Sequence, residues 1–136
     1  ENETFKNKLW KVGTQLKAGI YSAAIHYGET GKDGGTVGVD EGSTVGFDEH
    51  WRVTLTGTRD ASTLYASAKA QVTPKLNLGV YYSDLKSDSS NDKSEIYAKA
   101  SYKMFSNLKG YLMLGEYDVE NNDKATIGRL NIQYSF

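Results

Sequence analysis

The sequence contains no cysteine, only one proline and no long run of apolar residues. Without cysteine the chain has no disulfide, no zinc–thiolate site and no thiolate nucleophile. Without an apolar run of about 20 residues it has no candidate for a transmembrane helix. The net charge of −1 also argues against nucleic-acid binding, which requires a clustered basic face. Membrane strands are not excluded, since they carry their apolar residues in alternation.

What the chain does contain is tyrosine, glycine and alternation. Ten tyrosines and fourteen glycines among 136 residues favour many strands joined by tight turns. The segment KATIGRLNIQYSF alternates apolar with polar side chains, the apolar set being Leu130, Ile132, Tyr134 and Phe136. Because successive side chains of a strand point to opposite faces, this strand has one apolar and one polar face.

The same alternation extends along most of the chain and predicts a single all-β domain over residues 1–136. The further predicted strands are NLKGYLMLGEYDV, SEIYAKASYKMF, KLNLGVYYSDL, STLYASAKAQVT, WRVTLTGT and two within KLWKVGTQLKAGIYSAAIHYGE. The segment TVGVDEGSTVGF has Glu41 on its apolar parity, so it is either a bulged strand or part of a long loop. The prediction is therefore about eight or nine strands, of a length that suits membrane spans of about 9–11 residues.

The connections between these strands alternate in kind. Short turns are predicted at Ala18-Gly19, Asp48-Glu49-His50, Pro74-Lys75 and Ser106-Asn107. The intervening connections TGKDGG, RDAS, KSDSSNDK and ENND are generally longer and hydrophilic. An antiparallel up-and-down meander with short turns at one end and hydrophilic loops at the other is typical of a transmembrane β-barrel.

Aromatic and cationic residues favour a bilayer over a protein core as the apolar medium. Rings near the ends of the apolar faces match the aromatic girdles of membrane barrels: Tyr27, Trp51, Tyr82, Tyr102, Tyr134 and Phe136. The polar faces carry long cations, namely Lys11, Arg52, Lys69, Lys99, Lys103 and Arg129. Cations also occur on soluble sheets, so they only support the membrane interpretation.

The chain resembles the general diffusion porins of Gram-negative bacteria. The ending Tyr134-Ser135-Phe136 is similar to the C-terminal signal of outer-membrane barrels, and the hairpins YASAKAQVTPKLNLGVYYSD and YAKASYKMFSNLKGYLMLGEYD resemble porin strand–turn–strand units. The resemblance extends from about Leu9 to Phe136. Such porins have about sixteen strands, so it implies the C-terminal portion of a trimeric barrel in the bacterial outer membrane. ENETFKN shows no signal peptide and would be an extracellular loop.

The resemblance also implies partners and a mechanism. The partners would be outer-membrane lipid, lipopolysaccharide and the barrel assembly machinery, which would recognise Tyr134 and Phe136. The six polar-face cations would line a water-filled pore for passive diffusion of ions and small hydrophilic solutes, and either favour anions or merely keep the wall wet. The sequence departs from porins in its lower strand count and in lacking an acidic constriction-loop motif.

Two alternatives remain open at this stage. One is a small closed barrel of eight strands, filled by its own side chains, with an adhesion or structural role. The other is a soluble β-barrel that binds an apolar ligand.

No residue pattern indicates catalysis, a metal or a cofactor. In GETGKDGG the residue after Lys32 is Asp33 and His26 occupies the first glycine position, so the segment is not a phosphate-binding loop. Ser22 and His26 are four residues apart, or about 13 Å along a strand, too far for proton transfer. The loops DVENND and SDSSND lack the spacing of a calcium site.

Overall fold

Seven antiparallel strands form one sheet in the computed structural model, which describes residues 8–33, 51–55 and 57–136. The strands are β1 (Leu9–Ala18), β2 (Tyr21–Thr30), β3 (Ala61–Gln71), β4 (Leu76–Ser87), β5 (Lys93–Phe105), β6 (Leu108–Val119) and β7 (Ala125–Tyr134). Each strand pairs with the next along the chain, in the order β1 to β7. The predicted all-β, up-and-down antiparallel arrangement is confirmed. Within the described ranges, no helix is long and apolar enough to cross a membrane.

The sheet is open, because β1 and β7 are each paired on one side only among the described strands. Seven strands are fewer than the eight or nine predicted. TVGVDEGSTVGF and the turn Asp48-Glu49-His50 lie outside the described residues. WRVTLTGT was predicted to be a strand, and this prediction is wrong, since its described residues pair with no strand.

Short turns join the strands at one end of the sheet, which we call the turn end. Gly19 begins the β1–β2 turn with φ 60°, a left-handed conformation that glycine adopts without steric cost. The predicted turns at Pro74-Lys75 and Ser106-Asn107 are confirmed at the same end. The longer β2–β3, β4–β5 and β6–β7 connections all lie at the opposite end, the loop end.

The two faces of the sheet differ in a way that inverts the usual rule of burial. We call the face that carries the apolar residues of the alternating pattern the apolar face. Nine of its aliphatic side chains are 44–71 % exposed: Val12, Leu16, Ile25, Val80, Ile96, Leu112, Leu114, Leu130 and Ile132. The opposite, polar face holds the buried residues of the strands, among them Tyr65, Leu85 and Tyr97. A soluble sheet buries its apolar face instead.

The polar face is covered in part by residues 51–55 and 57–60, which we call the overlying segment. Val53 and Leu55 are buried against Ala61 and Leu85 of the sheet. Near the end of the segment, the Thr30 hydroxyl donates a hydrogen bond to the Thr58 carbonyl at 2.8 Å. The apolar alternation that suggested a strand in WRVTLTGT therefore serves to pack this segment onto the sheet.

Candidate functional site: the polar face of the sheet

Four cations form one row across the polar face. The strand register connects Lys17 on β1, Lys69 on β3, Lys99 on β5 and Arg129 on β7 through uncharged residues of the intervening strands, namely Ser22, Gly79 and Met113. Directly paired residues share a face, and strands lie about 4.8 Å apart, so successive cations are about 10 Å apart. The row gives the polar face a line of positive charge. Lys17 was not predicted as a member.

Aromatic rings contact three of the cations in this row. The Lys99 ammonium lies 4.4 Å from the centre of the Tyr111 ring, and the Lys69 ammonium lies 5.3 Å from that of Tyr81. The Arg129 guanidinium lies 5.5 Å from the ring centre of Trp51 on the overlying segment. These distances fall within the range of cation–π attraction. The rings therefore hold the charges against the wall of the sheet.

A cluster of rings occupies the next row toward the loop end. Tyr81 and Tyr97 stack with their ring centres 4.6 Å apart and 7° between their planes. Trp51 meets Tyr97 edge-on at 5.4 Å. Beside them, Gly115 lies opposite Tyr97, and a Cβ at this glycine would clash with Tyr97 and the Ile96 carbonyl. The absence of a side chain at Gly115 therefore makes room for Tyr97.

A buried carboxylate attaches the overlying segment to the sheet. Glu95 on β5 is only 2 % exposed. Its two oxygens accept hydrogen bonds from the backbone amides of Trp51 and Arg52, each at 2.8 Å. Hydrogen bonds to an ionised acceptor are stronger than neutral ones. These bonds explain why residues 51 and 52 lie on the polar face without pairing to a strand.

All six predicted cations lie on the polar side of the sheet, but they do not form one group. The shared row contains Lys69, Lys99 and Arg129. Lys11 lies on β1 toward the loop end, and Lys103 lies on β5 toward the turn end. Arg52 was predicted on a strand, but it lies on the overlying segment, with its guanidinium 5.8 Å from the Tyr117 ring centre. Their role as pore-lining residues stays a prediction.

The predicted aromatic girdle is only partly on one face. Tyr27, Tyr82 and Tyr102 share the apolar face. Trp51 does not, because it packs against the rings of the polar face, so its predicted position is wrong. Trp10, which was not among the predicted girdle residues, lies on the apolar face with its ring 5.7 Å from that of Tyr27. Trp10 and Val12 are two positions apart on β1, and this spacing was the sequence signal that could have placed Trp10 on the apolar face.

The rings of Tyr134 and Phe136 lie 6.3 Å apart, and both are exposed. These are the two residues that resemble the assembly signal. Their exposure leaves the rings open to contact, while recognition by the assembly machinery stays a prediction.

His26 lies on the polar face of β2, where its ring stacks on that of Tyr65 at 5.6 Å. In the part of the chain that the structure describes, no group of three or more His, Asp or Glu side chains could hold a metal ion. Two loop-end carboxylates form exposed ion pairs instead, Asp92 with Lys86 at 3.7 Å and Asp118 with Lys124 at 3.6 Å. The polar face therefore offers charge and aromatic surface for binding, and we treat it as the candidate site.

Comparison with known proteins provides no relative: no protein-family model, no curated protein and no solved structure matches the chain. The two faces of the sheet are therefore the features that bear on function.

Proposed function

We propose that the chain contributes a transmembrane section to a β-barrel of the bacterial outer membrane. In this proposal the apolar face contacts lipid and the polar face lines a water-filled channel. Ions and small hydrophilic solutes would diffuse through it passively, filtered by size and wall charge. The overlying segment would narrow the channel, because it lies across the polar face.

The main support for the proposal is that the apolar face is exposed while the polar face contains the buried side chains of the strands. Nine aliphatic side chains are 44–71 % exposed on one face, while rings, a carboxylate and cations occupy the other. Soluble monomers rarely expose a contiguous apolar patch of more than a few hundred Å². In a bilayer the same face would be covered by lipid chains, so no protein partner is needed to explain it.

Strand length and charge placement support a membrane span. The seven strands contain 10 to 13 residues, and about 9–11 residues of tilted strand cross a bilayer. Within the strands, charged side chains of the apolar face occur only toward the loop end: Glu29, Asp84, Lys86, Glu116 and Asp118. The uncharged remainder would lie in the hydrocarbon region.

The open sheet favours a larger barrel over a closed small one. The outer strands β1 and β7 do not pair with each other. Unpaired backbone groups at a sheet edge cannot be satisfied by lipid. Both edges would therefore pair with further strands, from the same protein or from another copy. Lipid, lipopolysaccharide and a trimeric assembly follow as proposed partners from the porin resemblance.

Reversing the charge of the wall tests the channel. The variant Lys99→Glu/Lys103→Glu/Arg129→Glu replaces three polar-face cations by carboxylates. Because wall charge biases permeation, we expect the reversal potential of a planar bilayer containing the refolded protein to shift toward cation selectivity. The measurement is made under a salt gradient.

The matched control is Lys86→Glu/Lys124→Glu, which reverses two exposed loop-end cations. We expect a smaller shift for this control. Unchanged ion selectivity in the triple variant, with conductance retained, would refute the wall role of these cations. Absence of any conductance from wild-type protein whose sheet edges are paired, by further strands or by another copy, would refute the channel.

A further inference from the structure

A concave region at the turn end of the polar face is lined by lysines and uncharged polar groups. Its volume is about 380 Å³ and its cations are Lys75, Lys99, Lys103 and Lys109. The polar side chains around them belong to Gln71, Asn77, Ser101, Tyr111, Asn131 and Gln133. None of the residues that line it is acidic. Small-molecule sites have volumes of about 300–1,000 Å³, so the region can hold more than a monatomic ion.

Two of these lysines face each other across neighbouring strands. Lys103 and Lys109 are directly opposite each other on β5 and β6. Like charges in opposed positions destabilise a sheet. Over residues 8–33, 51–55 and 57–136, the ion pairs found are Lys86 with Asp92 and Lys124 with Asp118, neither of which involves these lysines. A bound anion would convert this repulsion into attraction.

The walls of the region are held in place by hydrogen bonds. The Gln71 side-chain amide donates to the Thr73 carbonyl at 2.7 Å, and Asn77 donates to the Gln71 side-chain oxygen at 3.0 Å. On the other side, the Lys99 ammonium lies against the Tyr111 ring. These contacts restrict the side chains of Gln71, Asn77 and Lys99 before any ligand binds, which lowers the entropic cost of binding.

We propose that this region, the lysine pocket, binds oligophosphates, that is, short chains of phosphoryl groups carrying several negative charges. Each ammonium offers three donors and each phosphoryl group several acceptor oxygens. Four cations around one volume favour a multivalent anion over a monovalent one, which can neutralise only one lysine at a time. The proposal adds Lys75 and Lys109, which were not predicted, to the pore-facing cations.

The inference rests on the proposed function only in requiring a polar face open to water. Binding needs no ion flow, so the two proposals can fail separately. Loss of the channel would appear in conductance, whereas loss of the lysine pocket would appear in the binding isotherm.

The test is titration calorimetry of the refolded full chain in neutral detergent micelles with sodium tripolyphosphate at constant ionic strength. We expect saturable binding by the wild type. For Lys103→Gln/Lys109→Gln we expect a roughly tenfold loss of affinity, since two partly exposed charge pairs are removed. For Lys86→Gln/Lys124→Gln, which removes the same charge at the loop end, we expect less than about a twofold change because screening weakens distant charges.

Circular dichroism of all three proteins establishes that the sheet is intact. Removal of the opposed charges at positions 103 and 109 is not expected to prevent folding. Absence of saturable tripolyphosphate binding by the folded wild type would overturn the proposal. Equal losses in the two double variants would also overturn it, because binding would then depend on net charge alone.

Discussion

Leucine side chains are buried on one face of the sheet and exposed on the other. Leu85 lies on the polar face and is fully buried, whereas Leu114 lies on the apolar face and is 56 % exposed. Leu85 packs with Val53, Leu55 and Ala61 beneath the overlying segment. Leu114 lies in a row of apolar and small side chains with no such cover. Among the described residues, the buried side chains of the sheet thus lie on the polar face, and in the proposed function lipid would cover the apolar face.

We expect the largest loss of stability from a substitution in the core of the polar face. Leu85→Ala should cost about 2–5 kcal/mol of unfolding free energy, because it leaves a cavity between the sheet and the overlying segment. Chemical denaturation in lipid vesicles measures this cost. The matched variant Leu112→Ala on the apolar face should cost less, since in the proposed membrane setting lipid chains would fill the vacated space. A larger loss for Leu112→Ala would contradict this assignment of the core.

A charge on the apolar face should have the next largest effect. Leu114→Arg should cost about 2–4 kcal/mol in a bilayer if the side chain lies near its midplane. At a water-exposed position the same substitution would change stability by no more than about 0.5 kcal/mol. The measurement is equilibrium unfolding in vesicles, with Asn131→Arg on the polar face as the control. Equal, small effects of the two substitutions would indicate that water contacts both faces.

A smaller effect should follow from loosening the overlying segment. Glu95→Gln replaces the charged acceptor of two backbone hydrogen bonds, each worth about 1.5–3 kcal/mol when an ion takes part. Because the amide keeps one oxygen acceptor, we expect the loss of about one such bond. Faster hydrogen exchange at the amides of Trp51 and Arg52 reports it.

Glu116→Gln serves as the control for that substitution, since Glu116 is exposed on the apolar face. Unchanged exchange at residues 51 and 52 in Glu95→Gln would mean that packing of Val53 and Leu55 alone holds the segment.

The strands themselves were predictable because alternation is a local signal. In β4, every second residue from Leu76 to Tyr82 is apolar or aromatic, and the residues between them begin with Asn77 and Gly79. This pattern alone specifies a strand with two different faces. The hairpin at Gly19 was predictable for the same reason, since the parity of the alternation changes there. The sequence therefore predicted the antiparallel meander and the side of each strand that carries the cations.

The overlying segment was not predictable from local pattern. Trp51, Val53 and Leu55 alternate with polar residues as a strand does, yet they also pack on residues far along the chain, such as Leu85 and Tyr97. The interaction with Glu95 spans more than forty positions. A carboxylate on the polar parity near the start of β5 was the one signal, and its partners are backbone amides, which no sequence pattern marks. The lysine pocket likewise depends on register between β3, β4, β5, β6 and β7.

Adjacent residues on β5 provide the most direct test of the central claim that one face contacts lipid and the other water. The natural chain has no cysteine, so Ala100→Cys on the apolar face and Ser101→Cys on the polar face each introduce a single thiol. Each protein is refolded in lipid vesicles and divided into two samples: one is treated with a charged, water-soluble thiol reagent, and the other is labelled at its single thiol with a fluorophore and exposed to brominated lipid. We predict that the thiol at position 101 reacts with the reagent, and that only the fluorophore at position 100 is quenched. Equal reaction at both positions, with no quenching at position 100, would contradict the account.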